Sequence, residues 1–215
     1  MSIVGSVHAT GVLLFVLVVS AAIGWRVESG AIVIGSAIVA LVLGIYTNFK
    51  PMQAQYTGLA YAVFEGIFVG AVSKTFEASY PGIVFQAAGL TIAILGALLA
   101  LYRSGKIRVT ENFKLGVSAA VGGVFLFYMV TFALGLFGVH MPLVNSSSGF
   151  GIAFSVFVVA LASATLVVDF DYIEQGAARG LPRQMNWYAA FGLMVSLVWL
   201  YLELLRLLAK LQDRR

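Results

Sequence analysis

Cysteine is absent from the 215 residues, which excludes disulfides, thiolate metal sites and cysteine nucleophiles and leaves the redox compartment open. Charge is scarce as well. Asp, Glu, Lys and Arg make up 10% of the chain, whereas soluble domains carry roughly a quarter. A globule with a 61% hydrophobic composition could not cover its interior with so few charges. Histidine occurs twice, as His8 and His140, in terminal and loop positions without metal-ligand spacing, so both read as ordinary surface residues. The Gly122-Gly123 pair lies inside an apolar run, which leaves no phosphate loop between strand and helix. Ser155, Ser163 and Ser196 have no base partner in the pattern and suit interhelical hydrogen bonding better than catalysis. Neither an enzyme nor a resident cofactor is expected.

What the chain does contain is apolar sequence in long runs, with a mean hydropathy of +0.99. A hydrocarbon core about 30 Å thick takes roughly 20 helical residues to cross. Seven runs of about that length fall near Thr10–Gly24, Ala31–Asn48, Gly58–Phe76, Ile83–Tyr102, Lys114–Gly138, Gly149–Ile173 and Trp187–Leu211. The expected fold is all-α, a polytopic membrane protein with one seven-helix domain over residues 1–215. The first run reads as a span and not a signal peptide, because no Lys or Arg precedes it and six more runs follow. Pro51, Pro81, Pro142 and Pro182 all fall between runs, where a missing N–H breaks no helical ladder. The net charge of +4 comes from Lys and Arg scattered over short links and the chain end. Such residues anchor loops at lipid headgroups, so the bilayer is the expected partner and nucleic acid is not.

Short links with turn chemistry, Tyr80-Pro81-Gly82, Asn145-Ser146-Ser147-Ser148-Gly149 and Arg179-Gly180-Leu181-Pro182, predict antiparallel hairpins. Small residues at every fourth position in Gly58-Ala62-Gly66-Gly70 and Ser36-Ala40-Gly44 predict faces where backbones approach closely. The basic links Lys50, Arg103, Lys106, Arg108, Lys114, Arg179 and Arg183 favour a cytoplasmic N-terminus, while Lys210, Arg214 and Arg215 at the far end oppose it.

Four acids lie within runs: Glu65 in the third, Asp169 and Asp171 near the end of the sixth, and Glu203 in the seventh. An ionised carboxylate facing lipid costs several kcal/mol, so such groups face a bundle interior, pair or protonate, and often mark an ion path. Glu203 also has a purely structural use, pairing with Arg206 one turn on. Asp169 and Asp171 stand about 200° apart on a helix and cannot share one partner face. Asp171 shares its side with Ala160, Ala164, Glu174 and Gln175, a track suited to an interior, which leaves Asp169 as a helix-end residue near headgroups.

The strings Tyr61-Ala62-Val63-Phe64-Glu65-Gly66, Tyr80-Pro81-Gly82-Ile83-Val84, Arg108-Val109-Thr110-Glu111-Asn112-Phe113, Val168-Asp169-Phe170-Asp171-Tyr172-Ile173-Glu174-Gln175 and Trp199-Leu200-Tyr201-Leu202-Glu203-Leu204-Leu205-Arg206 resemble the Bax inhibitor-1, or transmembrane Bax inhibitor motif, family. The similarity is to its bacterial branch and runs over essentially the whole chain. It implies seven transmembrane helices with the last one central, a calcium leak, and a pH-sensing acid pair on the last two helices. Asp171 matches the penultimate-helix acid and Glu203 the acid on the last helix, where relatives often have Asp. A second register, set by Leu204-Leu205-Arg206, would place Ser196 at the acidic position.

Two carboxylates in a poorly solvated site share a proton, and losing it separates the helices or invites a cation. Calcium takes about six to eight oxygens. Asp171 and Glu203 would hold it weakly and transiently, with water, carbonyls or Glu65 completing the shell, as a leak requires. The expected function is a pH-sensitive calcium leak channel in the plasma membrane of a prokaryote. Asp171 and Glu203 form its gate within hydrogen-bonding reach of each other, and Glu65, Asp169 and Arg206 contribute. The rivals are a proton-coupled transporter and a non-transporting regulator of a membrane-protein partner such as a quality-control protease.

Overall fold

The seven apolar runs become seven helices in the computed structural model, which describes residues 1–137 and 148–214. The end of the fifth run at Gly138, together with His140, Pro142 and Asn145-Ser146-Ser147, lies outside the described residues. The helices are α1 Ile3–Gly24, α2 Gly30–Phe49, α3 Ala54–Ser79, α4 Ile83–Arg103, α5 Glu111–Leu136, α6 Gly149–Ala178 and α7 Met185–Gln212. Each is long and apolar enough to cross a bilayer, and no strand forms among the described residues. The chain is a multi-pass membrane protein.

Most helices outrun the apolar stretches that predict them, because capping groups extend the ladder into polar sequence. Ser2 accepts the Gly5 N–H and starts α1 seven residues before Thr10. Thr110 accepts the Phe113 N–H and starts α5. The Glu77 carboxylate, at the end of α3, accepts the N–H groups of Gly82 and Val84 at 2.6 and 3.0 Å, so one side chain serves the first turn of α4. At the end of α6, Gly180 takes φ +64° while Leu181 N–H bonds the Gly176 carbonyl and Gly180 N–H that of Ala177. That six-to-one and five-to-two pattern closes the helix, and Pro182 cannot continue it. Pro51, Pro81 and Pro182 all fall outside the seven helices, with Pro51 opening a short 3-10 turn before α3.

Contacts divide the chain into two units, residues 1–84 with 169–198 and residues 85–168 with 199–215, so α6 and α7 each contribute to both. In the first unit, α1 and α3 meet backbone to backbone. A methyl at Gly24 would overlap the Ile67 carbonyl, and one at Gly70 the Ala21 carbonyl; Gly66 faces the Leu17 carbonyl and Ser20. The small-residue track of α3 is therefore an interface, as lipid-embedded helices favour. The Ser36-Ala40-Gly44 track of α2 is buried at Ser36 and Ala40, and Gly44 faces the Tyr61 ring. In the second unit, Val124, Val158 and Leu161 form a core against Tyr128, Phe154 and Trp199. The Tyr128 and Phe154 rings meet edge to face with centroids 6.3 Å apart.

Over half of the apolar window of α7 is buried (56%), against 39% or less for every other helix. Large exposed side chains such as Phe15, Ile34, Phe85, Leu126, Phe132 and Phe157 present the surface a lipid-facing helix needs.

Candidate functional site

The acids inside the spans are held in four different ways, and the differences follow from the neighbours that each helix supplies. Glu65, half-buried on α3, accepts a hydrogen bond from Tyr61 one turn earlier. The Tyr61 ring in turn meets Phe191 of α7 edge-on at 5.1 Å.

Asp169 lies nine residues before Ala178, the last residue of α6, and its side chain is enclosed. It faces Gly192 and Ser196 of α7, four residues apart on one side of that helix. Ser196 donates its hydroxyl to the carboxylate, and a methyl on Gly192 would come within 3.4 Å of Oδ1. The other oxygen, Oδ2, is sealed from solvent and has no hydrogen-bond partner among the described residues. The hydroxyl at 196 thus satisfies only part of the carboxyl group.

Asp171 is 8% exposed, and its Oδ2 accepts from Gln175 Nε2 at 2.6 Å. Gln175 passes the chain on, accepting from Arg179 at 2.9 Å. Residues four apart share a helix face, so this ladder runs from the interior to the exposed end of α6.

Glu203 is 2% exposed and belongs to the second unit, whereas Asp171 belongs to the first. Arg206 lies beside it, as its spacing predicts, with Nη1 at 2.9 and 3.2 Å from the two carboxylate oxygens. Tyr128 of α5 donates to Glu203 at 3.1 Å, accepts from Arg206 at 2.8 Å, and offers its ring to the guanidinium 5.2 Å away. One turn further on the same helix, Lys210 is 4% exposed and donates to the Gly151 carbonyl and the Ser155 hydroxyl.

Among the described residues, no three His, Asp or Glu side chains gather closely enough to hold a metal. Tyr128 escapes a reading of sequence, since it comes from a helix far along the chain, whereas Ser155, expected to bond between helices, does so with Lys210. Gln175 and Lys210 are in principle legible, standing one and two turns from an acid on the same helix.

Seven apolar helices with acids buried among them define a multi-pass membrane protein whose interior is built to hold ionisable groups. The model of the Bax inhibitor 1 like family matches residues 1–213, and the chain belongs to that family. No curated protein and no solved structure matches it.

Proposed function

We propose that the chain is a pH-sensitive calcium leak channel of a prokaryotic plasma membrane, with the buried acids of α6 and α7 as the pH-responsive part. The observation that carries this is Asp169, a carboxylate within a span with one oxygen on Ser196 and the other buried without a partner among the described residues. An ionised carboxylate so placed is costly. Binding a proton or a cation removes the cost, and that exchange is the elementary event a pH-dependent cation leak needs.

Asp171 and Glu203, the positions to which the family resemblance points, stay in the proposal as gate residues that meet calcium weakly. Asp171 is suited to this by the Gln175–Arg179 ladder, along which a change in its charge reaches the end of α6. Glu203 is suited to it as a carboxylate held in place by Arg206 and Tyr128.

Calcium flux into proteoliposomes across a pH series tests the proposal, with wild type beside Asp169→Asn, Asp171→Asn and Glu203→Gln. A pH-dependent flux without any second solute is expected, and at least one variant should flatten its pH response. No cation movement at any pH, with a stoichiometric membrane-protein partner on purification, would favour the regulator instead.

A further inference from the structure

One end of the first unit, where α1 and α7 begin, holds a cavity of about 890 Å³. Its wall includes His8, Gln55, Arg183, Gln184, Asn186 and Trp187, and no carboxylate among the described residues. The wall is rich in donors that the described residues leave unused. Asn186 is 6% exposed and spends its carbonyl oxygen on the Ser2 N–H and the Ser6 hydroxyl, while its NH₂ has no acceptor among the described residues. The Arg183 guanidinium and the Trp187 indole N–H likewise have none.

Basic residues also stand near this end, together with exposed Glu174 near the end of α6. Tyr188 donates to Asn48 at 3.2 Å, which brings the end of α2, and with it Lys50, to the start of α7. Arg179 stands at the end of α6. A hollow lined by Arg183, Asn186 and Trp187, with no carboxylate among the described residues of its wall, suits an anion, to which a guanidinium, an amide NH₂ and an indole N–H can offer charge-assisted bonds. The planar guanidinium fits two oxygens of one phosphate.

We propose that this cavity binds an oxyanion of the phosphate type, carried either by an anionic lipid headgroup or by a free phosphate. Arg183 supplies the charge, and Asn186 and Trp187 orient the oxygens. None of the acids within the spans lines the cavity, and the proposal does not depend on their role.

The test uses the purified full chain in a maltoside detergent, which carries no phosphate. One arm titrates inorganic phosphate by calorimetry; the other adds phosphatidylglycerol or phosphatidylcholine and counts retained lipid by native mass spectrometry. Arg183 is exposed, so Arg183→Gln should fold, and an unchanged melting temperature checks that it does. Lys50→Gln serves as the control, since Lys50 is basic and at the same end but is not part of the wall.

Losing one charge-assisted contact should weaken binding about tenfold in Arg183→Gln and leave Lys50→Gln near wild type. Preferential retention of phosphatidylglycerol with that loss supports the cavity and assigns the lipid source. Saturable phosphate binding with the same loss supports it and assigns the soluble one. The proposal is overturned if wild type retains neither ligand, if Arg183→Gln binds like wild type, or if Lys50→Gln loses as much.

Discussion

Arg206 grips both oxygens of Glu203 from three residues along α7, at 2.9 and 3.2 Å, while Tyr128 bonds to both partners. The carboxylate is almost wholly buried and the arginine side chain is about a third exposed (35%). Removing the two partners should therefore have unequal effects. Arg206→Ala leaves a buried charge unpaired and should cost about 2–4 kcal/mol, toward the lower end because water can reach part of the site. Glu203→Gln should cost less, and the double variant should recover much of the loss. Thermal unfolding in detergent measures all three; equal melting temperatures for wild type and Arg206→Ala would mean that the pair contributes nothing.

Glycines on α3 make a second comparison with an internal control. At Gly70 a methyl meets the Ala21 backbone carbonyl, which cannot move aside as a side chain does, whereas at Gly58 the nearest atoms are Leu13 and Phe191 side-chain carbons at 3.8 Å. Gly70→Ala should destabilise by about 1–3 kcal/mol through overpacking. Gly58→Ala should be neutral or gain up to about 1 kcal/mol from helix propensity. If both variants melt together, α1 and α3 are not packed at this distance.

The contrast between Gly58 and Gly70 also marks how far sequence alone reaches. Four-residue spacing identifies the interface on α3 because helix geometry is periodic, and it places Arg206 beside Glu203 for the same reason. Seven spans and the positions of Pro51, Pro81 and Pro182 are legible because bilayer thickness fixes helix length. Asp169 and Asp171 show the limit. A 200° separation along one helix suggests that only one of them turns inward, yet α6 meets neighbours on more than one side, and Asp169 finds Ser196 while Asp171 is buried beside Gln175. Which of two faces is enclosed depends on the other helices, and no local pattern encodes that. Tyr128 escapes local pattern for the same reason, being 75 residues from Glu203.

Glu77 caps α4 through two backbone N–H groups beyond the Tyr80-Pro81-Gly82 turn. Glu77→Ala should leave both groups without this acceptor and cost about 1 kcal/mol. Glu77→Gln keeps one acceptor oxygen and should fall between. Amide hydrogen exchange at Gly82 and Val84 reads the cap directly, and unchanged protection in Glu77→Ala would show that another acceptor serves these groups.

The most demanding prediction concerns Asp169 and Ser196, the one acid in a span whose second oxygen is buried and unpartnered among the described residues. If Asp169 is the group that exchanges a proton for a cation, Asp169→Asn should flatten the pH dependence of calcium flux while the protein stays folded, because a neutral amide has no proton to exchange. Ser196→Asp goes further by setting a second carboxylate against the first. Two such groups titrate as a coupled pair, in two macroscopic steps, so the flux profile should broaden beyond that of wild type. Ser196→Asn, polar but not ionisable, should keep a single step. Folded Ser196→Asp and Ser196→Asn proteins with identical pH profiles would mean that position 196 does not meet the responsive group. An unchanged profile in Asp169→Asn would remove Asp169 from the mechanism and leave the pH response to Asp171 or Glu203.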